Sequence, residues 1–134
     1  MPPVAIASRL GEGYARRMKT DIAYRLATPE RWAEVMATGA FAGDPHDIAD
    51  GFIHLSAAPQ VAGTLVKHYN DHQRLLLVEI DLTELGDTVK WEVSRDGEKF
   101  PHVFGIIPVS AFRGFRHVLR DADGEWVLPD EAMR

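Results

Sequence analysis

The 134-residue chain contains no cysteine. That absence removes disulfides, a thiolate nucleophile and any cysteine-ligated zinc from its chemistry. It also has no apolar run approaching the ~20 residues that span a bilayer. The first residues hold no continuous apolar stretch of the kind that forms a secretory leader. Together these features lead us to expect a cytoplasmic protein. Positive charge is in deficit, with 15 Lys and Arg against 20 Asp and Glu and a net charge of −5. A broad nucleic-acid-binding surface is therefore not expected. One local basic pocket for a phosphorylated ligand is still compatible with that balance. No Gly-rich phosphate loop, nucleophile elbow or Ser-His-Asp order is present.

The length suits one domain with a real core. Residues 1–18 are expected to form a flexible tail, broken by Pro2, Pro3, Gly11 and Gly13. Residues 19–134 are expected to form a single α+β domain. Ile22 to Ala27 alternates enough for a first strand. Thr28-Pro29-Glu30 then reads as a helix start, with an N-cap hydroxyl, Pro at the first helical position and an acid in the first turn. That helix runs to about Thr38 and stops at Gly39, which tolerates positive φ. Residues 40–50 read as an Asp-rich polar loop holding His46. A strand follows over Gly51 to Ser56. Ser56 is placed to cap a second helix, with Pro59 near its start and Val61, Leu65 and Tyr69 on one face. Leu75 to Ile80 is almost wholly apolar and reads as a strand covered on both sides. Shorter strands are expected over Thr88–Val93, Phe100–Ile107, Phe112–Leu119 and Glu125–Leu128. Regular β-α-β alternation is missing, so a doubly wound parallel sheet is not expected. The predicted architecture is α+β, with two early helices packed on a split, mostly antiparallel sheet.

Two histidines stand inside apolar runs, His54 in Gly-Phe-Ile-His-Leu-Ser and His102 in Phe-Pro-His-Val-Phe-Gly. Each is either a satisfied core residue or the polar centre of a pocket. In an extended strand His54 and Ser56 point to one side and Ile53 and Leu55 to the other. An imidazole and a hydroxyl so placed suit ribose or phosphate. Trp91 and Phe100 are candidate walls for a flat ring, or simply core. His68 and His72 have the spacing of a metal half-site on a helix. Asn70 and Asp71 break the helix between them and no third ligand follows, so no metal is expected. Asp81 reads as a cap for the turn after its strand.

The set Gly51–Ser56, Leu75–Leu82, Val89–Glu92 and Phe100–Gly105 resembles a family of small bacterial proteins known as domain of unknown function 952. The likeness extends over about residues 22–117, with Trp32 and Gly39 in agreement. The family usually carries a His after the first-strand Tyr, where this chain has Tyr24-Arg25. That family in turn resembles the ADP-ribosyltransferase fold, above all RNA 2′-phosphotransferases, in which a His-x-Ser strand precedes a helix and a buried strand ending in Asp.

This resemblance implies NAD as a co-substrate, with no metal. Arg25 is implied to hold the pyrophosphate and His54 with Ser56 the ribose. Trp91 or Phe100 would stack on the nicotinamide. The glutamate of protein-modifying transferases has no clear counterpart, and Glu92 or His102 stands in for it. His102 is the candidate for acceptor activation. The implied function is an NAD-dependent ADP-ribosyl or 2′-phosphate transferase-like enzyme with His54, His102 and Glu92 as catalytic residues. The alternative is a catalytically inactive module that binds a nucleotide or another small phosphorylated ligand.

Overall fold

The computed structural model describes residues 21–129 and Met133. The expectation for residues 1–18 lies outside them. Nine strands and three α-helices occur among the described residues. The strands are β1 (Ile22–Ala27), β2 (Ala40–Phe41), β3 (Ile53–His54), β4 (Arg74–Asp81), β5 (Val89–Val93), β6 (Lys99–Val103), β7 (Ile107–Pro108), β8 (Phe112–Arg120) and β9 (Trp126–Val127). The helices are α1 (Pro29–Thr38), α2 (Pro45–Asp50) and α3 (Val61–His68). No helix among the described residues is long and apolar enough to cross a membrane.

The architecture is α+β around a curled antiparallel sheet. Its larger part has the order β1-β4-β8-β9 and its smaller part the order β3-β6-β5. The two parts are joined where Tyr24 and Ser56 exchange backbone hydrogen bonds of 2.8 and 3.0 Å. A two-stranded ladder, β2 with β7, lies beside them.

Strand β4 is the centre of the molecule. Its apolar run is explained by burial on both faces. Leu76, Val78 and Ile80 enter one core with Trp32 and Val35 of α1, Phe41 and Ile53. Leu75 and Leu77 enter a second core with Val61 and Leu65 of α3, Val118 and Met133. Helix α1 has the bounds its caps predict. The Thr28 side chain accepts the Arg31 N–H, and Gly39 ends the helix at φ 88°.

Two expectations are corrected. The loop over residues 40–50 contains β2 and a third helix, α2, which Asp44-Pro45 opens and Gly51 closes at φ 87°. Ser56 does not cap the second helix. It is tied to Tyr24 by its backbone and to Thr64 by its hydroxyl, Oγ to Oγ1 2.9 Å, while Gln60 accepts the Ala57 N–H. As the break at Asn70 and Asp71 implied, helix α3 ends before His72, at His68, so the two histidines do not share a helix face.

Candidate functional site

Strands β3 and β6 pair antiparallel with His54 directly opposite His102. This register brings the two histidines together, with ring centroids 5.6 Å apart. They sit in the wall of a cleft of about 750 Å³ between the smaller sheet and helix α3. Ser56, Thr64, Lys67, Arg95 and Phe100 also line it.

The position of His54 is set by a carboxylate from the preceding helix. Asp47 is almost wholly buried. Arg25 grips it with both terminal nitrogens, at 3.0 and 2.8 Å. The Asp44 N–H donates to Oδ2 at 2.7 Å. Both the backbone N–H and Nδ1 of His54 reach Oδ1, at 3.0 and 2.7 Å. Burial pushes the Asp47 carboxyl up, but the hydrogen bond and charge of Arg25, with the bonds from His54, outweigh it and hold it well below the usual carboxylate range. A carboxylate accepts and never donates. Nδ1 of His54 therefore carries the proton in this contact, and Nε2 turns outward to within 2.9 Å of Asp50 Oδ2.

Arg25 is engaged from within. Besides Asp47, it donates to the His54 carbonyl at 2.8 Å and to Asp44 at 2.9 Å, and it lies over the Phe41 ring. Burial pushes its guanidinium down, and Asp47 more than reverses this. Its role in this geometry is to hold the His54 strand and helix α2 together. Arg25 also lines the cleft, with both terminal nitrogens turned to these carboxylates. Asp44 is shared with Arg31 of α1, Nε to Oδ1 2.7 Å.

His102 is 4% exposed. Its Nδ1 meets Glu92 Oε1 at 2.8 Å across the β5–β6 pair. Its Nε2 is buried and has no hydrogen-bond partner among the described residues. The ring is stacked on Phe52 at a centroid distance of 4.0 Å and 24° between planes. With Nδ1–H held by a carboxylate, Nε2 carries a bare lone pair. Glu92 thus sits where it can orient the imidazole, as the third group does in a triad.

The two expected aromatic walls separate. Phe100 lies in the cleft wall, and the Arg95 guanidinium covers its ring at 4.8 Å. Trp91 alternates with Glu92, so it faces the other side of β5 and packs against the core of α1 and β4. The stacking role expected of Trp91 is corrected accordingly. Asp81 caps its turn, accepting the Thr83 N–H at 3.0 Å.

Arg95, Thr64 and Asp47 were not singled out by the sequence. Arg95 donates to Thr64 Oγ1 at 3.2 Å and to the Gln60 carbonyl at 3.3 Å. Among the described residues no carboxylate pairs with it. Its charge is felt nearby. Burial pushes the His68 imidazole down, and Arg95, with His46 and Lys67, pushes it further. The cleft thus has one positive end, at Arg95 and Lys67, and one acidic end, at Asp44 and Asp50.

No curated protein matches the chain. The crystal structure of CC0527 from Caulobacter crescentus is similar with a TM-score of 0.76 and 36% identity, over 83% of this chain and 97% of that one. The solution NMR structure of CC0527 gives a TM-score of 0.70 at 36% identity, over 81% and 91%. The family described as protein of unknown function (DUF952) matches residues 26–114, and that span carries both histidines, Asp47, Glu92 and Arg95, with the last two residues of β1. The chain belongs to the DUF952 family.

Proposed function

We propose that the cleft binds a nucleotide of the NAD class and transfers its ADP-ribosyl group, as the resemblance to the ADP-ribosyltransferase fold implies. The observation that carries this reading is the Glu92–His102 pair, with Nδ1 held at 2.8 Å and a bare Nε2 beside His54. The positive end of the cleft supports it as well. The phosphates are assigned to Arg95 and Lys67, with the Ser56 and Thr64 hydroxyls beside them. A guanidinium without a carboxylate partner suits this task. The ribose is assigned to the His54–His102 wall.

In the reaction the C1′–N bond to nicotinamide breaks and its electron pair stays on the ring nitrogen, which leaves neutral. Positive charge develops on the ribose, and the acidic side chains near His54 favour it. An acceptor hydroxyl, or water, then bonds to C1′. Its proton passes to His102 Nε2, and Glu92 opposes the charge that forms on the imidazole.

The second reading is a binding module without turnover. It is favoured by the internal engagement of Arg25 and by the cover over His102 Nε2. Calorimetric titration with NAD, coupled to chromatography of released nicotinamide, separates the two. The enzyme reading expects nicotinamide release that His102→Ala abolishes while NAD still binds. Binding with no nicotinamide over long incubation leaves the module. No binding at millimolar NAD ends the nucleotide reading.

A further inference from the structure

Strand β8 is the last long strand of the larger sheet. Its outer neighbour β9 pairs only with Leu119 and Arg120. Among the described residues no strand lies beside the outer edge of Gly114 to Val118. An open edge presents alternate N–H and C=O groups to any extended chain. The cores do not cover this stretch either, since Arg113 to His117 is exposed throughout. Phe115, His117 and Leu119 alternate onto one face of the sheet, where the rings of Phe115 and His117 meet at 6.2 Å. Val127 stands opposite Leu119 and lengthens that face. Phe115 is 55% exposed and Val127 50%. Arg116 alternates to the other face. None of these residues lines the cleft. The edge is also basic. Phe112–Arg120 holds three arginines and no acid, in a chain of net charge −5. Arg113 is turned back onto Asp81 at 2.9 Å, and Arg120 onto the carbonyls of Tyr69, Asn70 and His72. Arg116 is exposed, and among the described residues no carboxylate pairs with it. The same holds for Arg74, which stands opposite Leu119 on β4.

We infer that the outer edge of β8 docks an extended acidic segment of a partner protein, which adds to the sheet as a further strand. Side chains of such a strand alternate between the same two faces as those of β8. Those on the Arg116 face are acidic. Those between them lie against Phe115 and Leu119 and are apolar. Main-chain hydrogen bonds supply affinity, and the two faces supply the sequence preference. A second copy of β8 fits the edge less well. It would bring arginines to a strand that already carries them, and like charges opposed across a sheet are destabilising. The β4–β8 register shifts between Glu79 and Ile80, and Gly114 takes φ 144°. That bulge ends the regular edge, so the added strand runs along Gly114 to Val118 and stops against β9.

The test uses the full-length chain, isotope-labelled for NMR and titrated with synthetic peptides as long as β8. One peptide alternates glutamate with valine, and a second alternates lysine with valine. A third is the glutamate peptide with proline at its middle, which cannot complete the ladder. Saturable shifts at Gly114 to Val118 are expected with the first peptide and not with the other two. Arg116→Glu should weaken the glutamate peptide by about tenfold or more and turn the preference to the lysine peptide. Phe115→Ser should weaken it as well. Both changes replace exposed side chains, so neither disturbs the core. The absence of saturable shifts at millimolar glutamate peptide overturns the inference. So does equal binding of the lysine or the proline peptide, or binding that Arg116→Glu leaves unchanged. Shifts of the same amides on dilution without peptide, with the sedimenting mass of a dimer, would assign the edge to a second copy and overturn it too. None of these outcomes bears on nucleotide binding in the cleft.

Discussion

At the scale of single residues the molecule depends on Asp47. It is buried, yet it makes no hydrophobic contribution. It ties Arg25 of β1, Asp44 at the start of α2 and His54 of β3 into one network. Removing one partner of a buried ion pair leaves the other as an uncompensated charge, at a cost of about 3–5 kcal/mol. Asp47→Asn should therefore lose roughly that much stability, read from urea denaturation. Replacing both partners, Arg25→Met with Asp47→Leu, should cost less than the single change, because no charge is stranded. A loss under about 1 kcal/mol for Asp47→Asn, or a double variant worse than the single, would show that the network is not what holds His54.

Elements decide how Arg95 reaches the cleft. Its guanidinium crosses over α3 at Gly63, and a Cβ there would stand 2.9 Å from Arg95 Nη2. Gly63 is exposed and lies inside a helix, where Ala is normally better by about 0.5–1 kcal/mol. The obstacle is only the far end of a flexible side chain, so the helix gains and the Arg95 position is lost. Gly63→Ala should raise stability by about that amount and weaken NAD binding by about tenfold or more, since a charged hydrogen bond contributes about 1.5–3 kcal/mol. Thermal melts and calorimetry on one sample check both. Unchanged affinity would remove Arg95 from the phosphate site.

The elements also mark what could be read in advance. Helix α1 was legible because Thr28, Pro29 and Gly39 are chemical end signals, and β4 because its run is apolar without a break. Helix α2 was not, since six residues carry no periodic stripe and its buried member is an aspartate. The only clue was Asp44-Pro45 ahead of Gly51. The two histidines were legible as a pair, but their contact depends on the β3–β6 register. For Trp91 and Glu92 the alternation was plain, and which face was core was not. That choice depends on what packs above the strand.

Across the whole molecule the sheet has one half with a continuous backbone ladder and another joined to it by a single backbone bridge and a shared core. Strand β4 lies between β1 and β8, with a core on each face. The smaller sheet, which carries both histidines, is paired to β1 among the described residues by the Tyr24–Ser56 bridge, helped by Arg25 on the His54 carbonyl and by the core that Ile53 and Val103 share with Ala23 and Ala27. Amides of Leu75 to Ile80 should therefore exchange with solvent only on global unfolding, and those of His54, His102 and Val103 through a cheaper local opening. The same opening uncovers His102 Nε2, which the closed form seals. The cleft spans this seam, with Lys67 and Thr64 on α3 and Arg95 on the turn between β5 and β6. A ligand held by both sides stabilises the joined state over the opened one by mass action. Millimolar NAD should slow exchange at Tyr24 and Ser56 and leave β4 amides, read in the same NMR spectra, changed only as far as global stability rises. Equal protection of both sheets without ligand, or slowing confined to α3, would mean that the seam does not open as a unit and that His102 is reached in some other way.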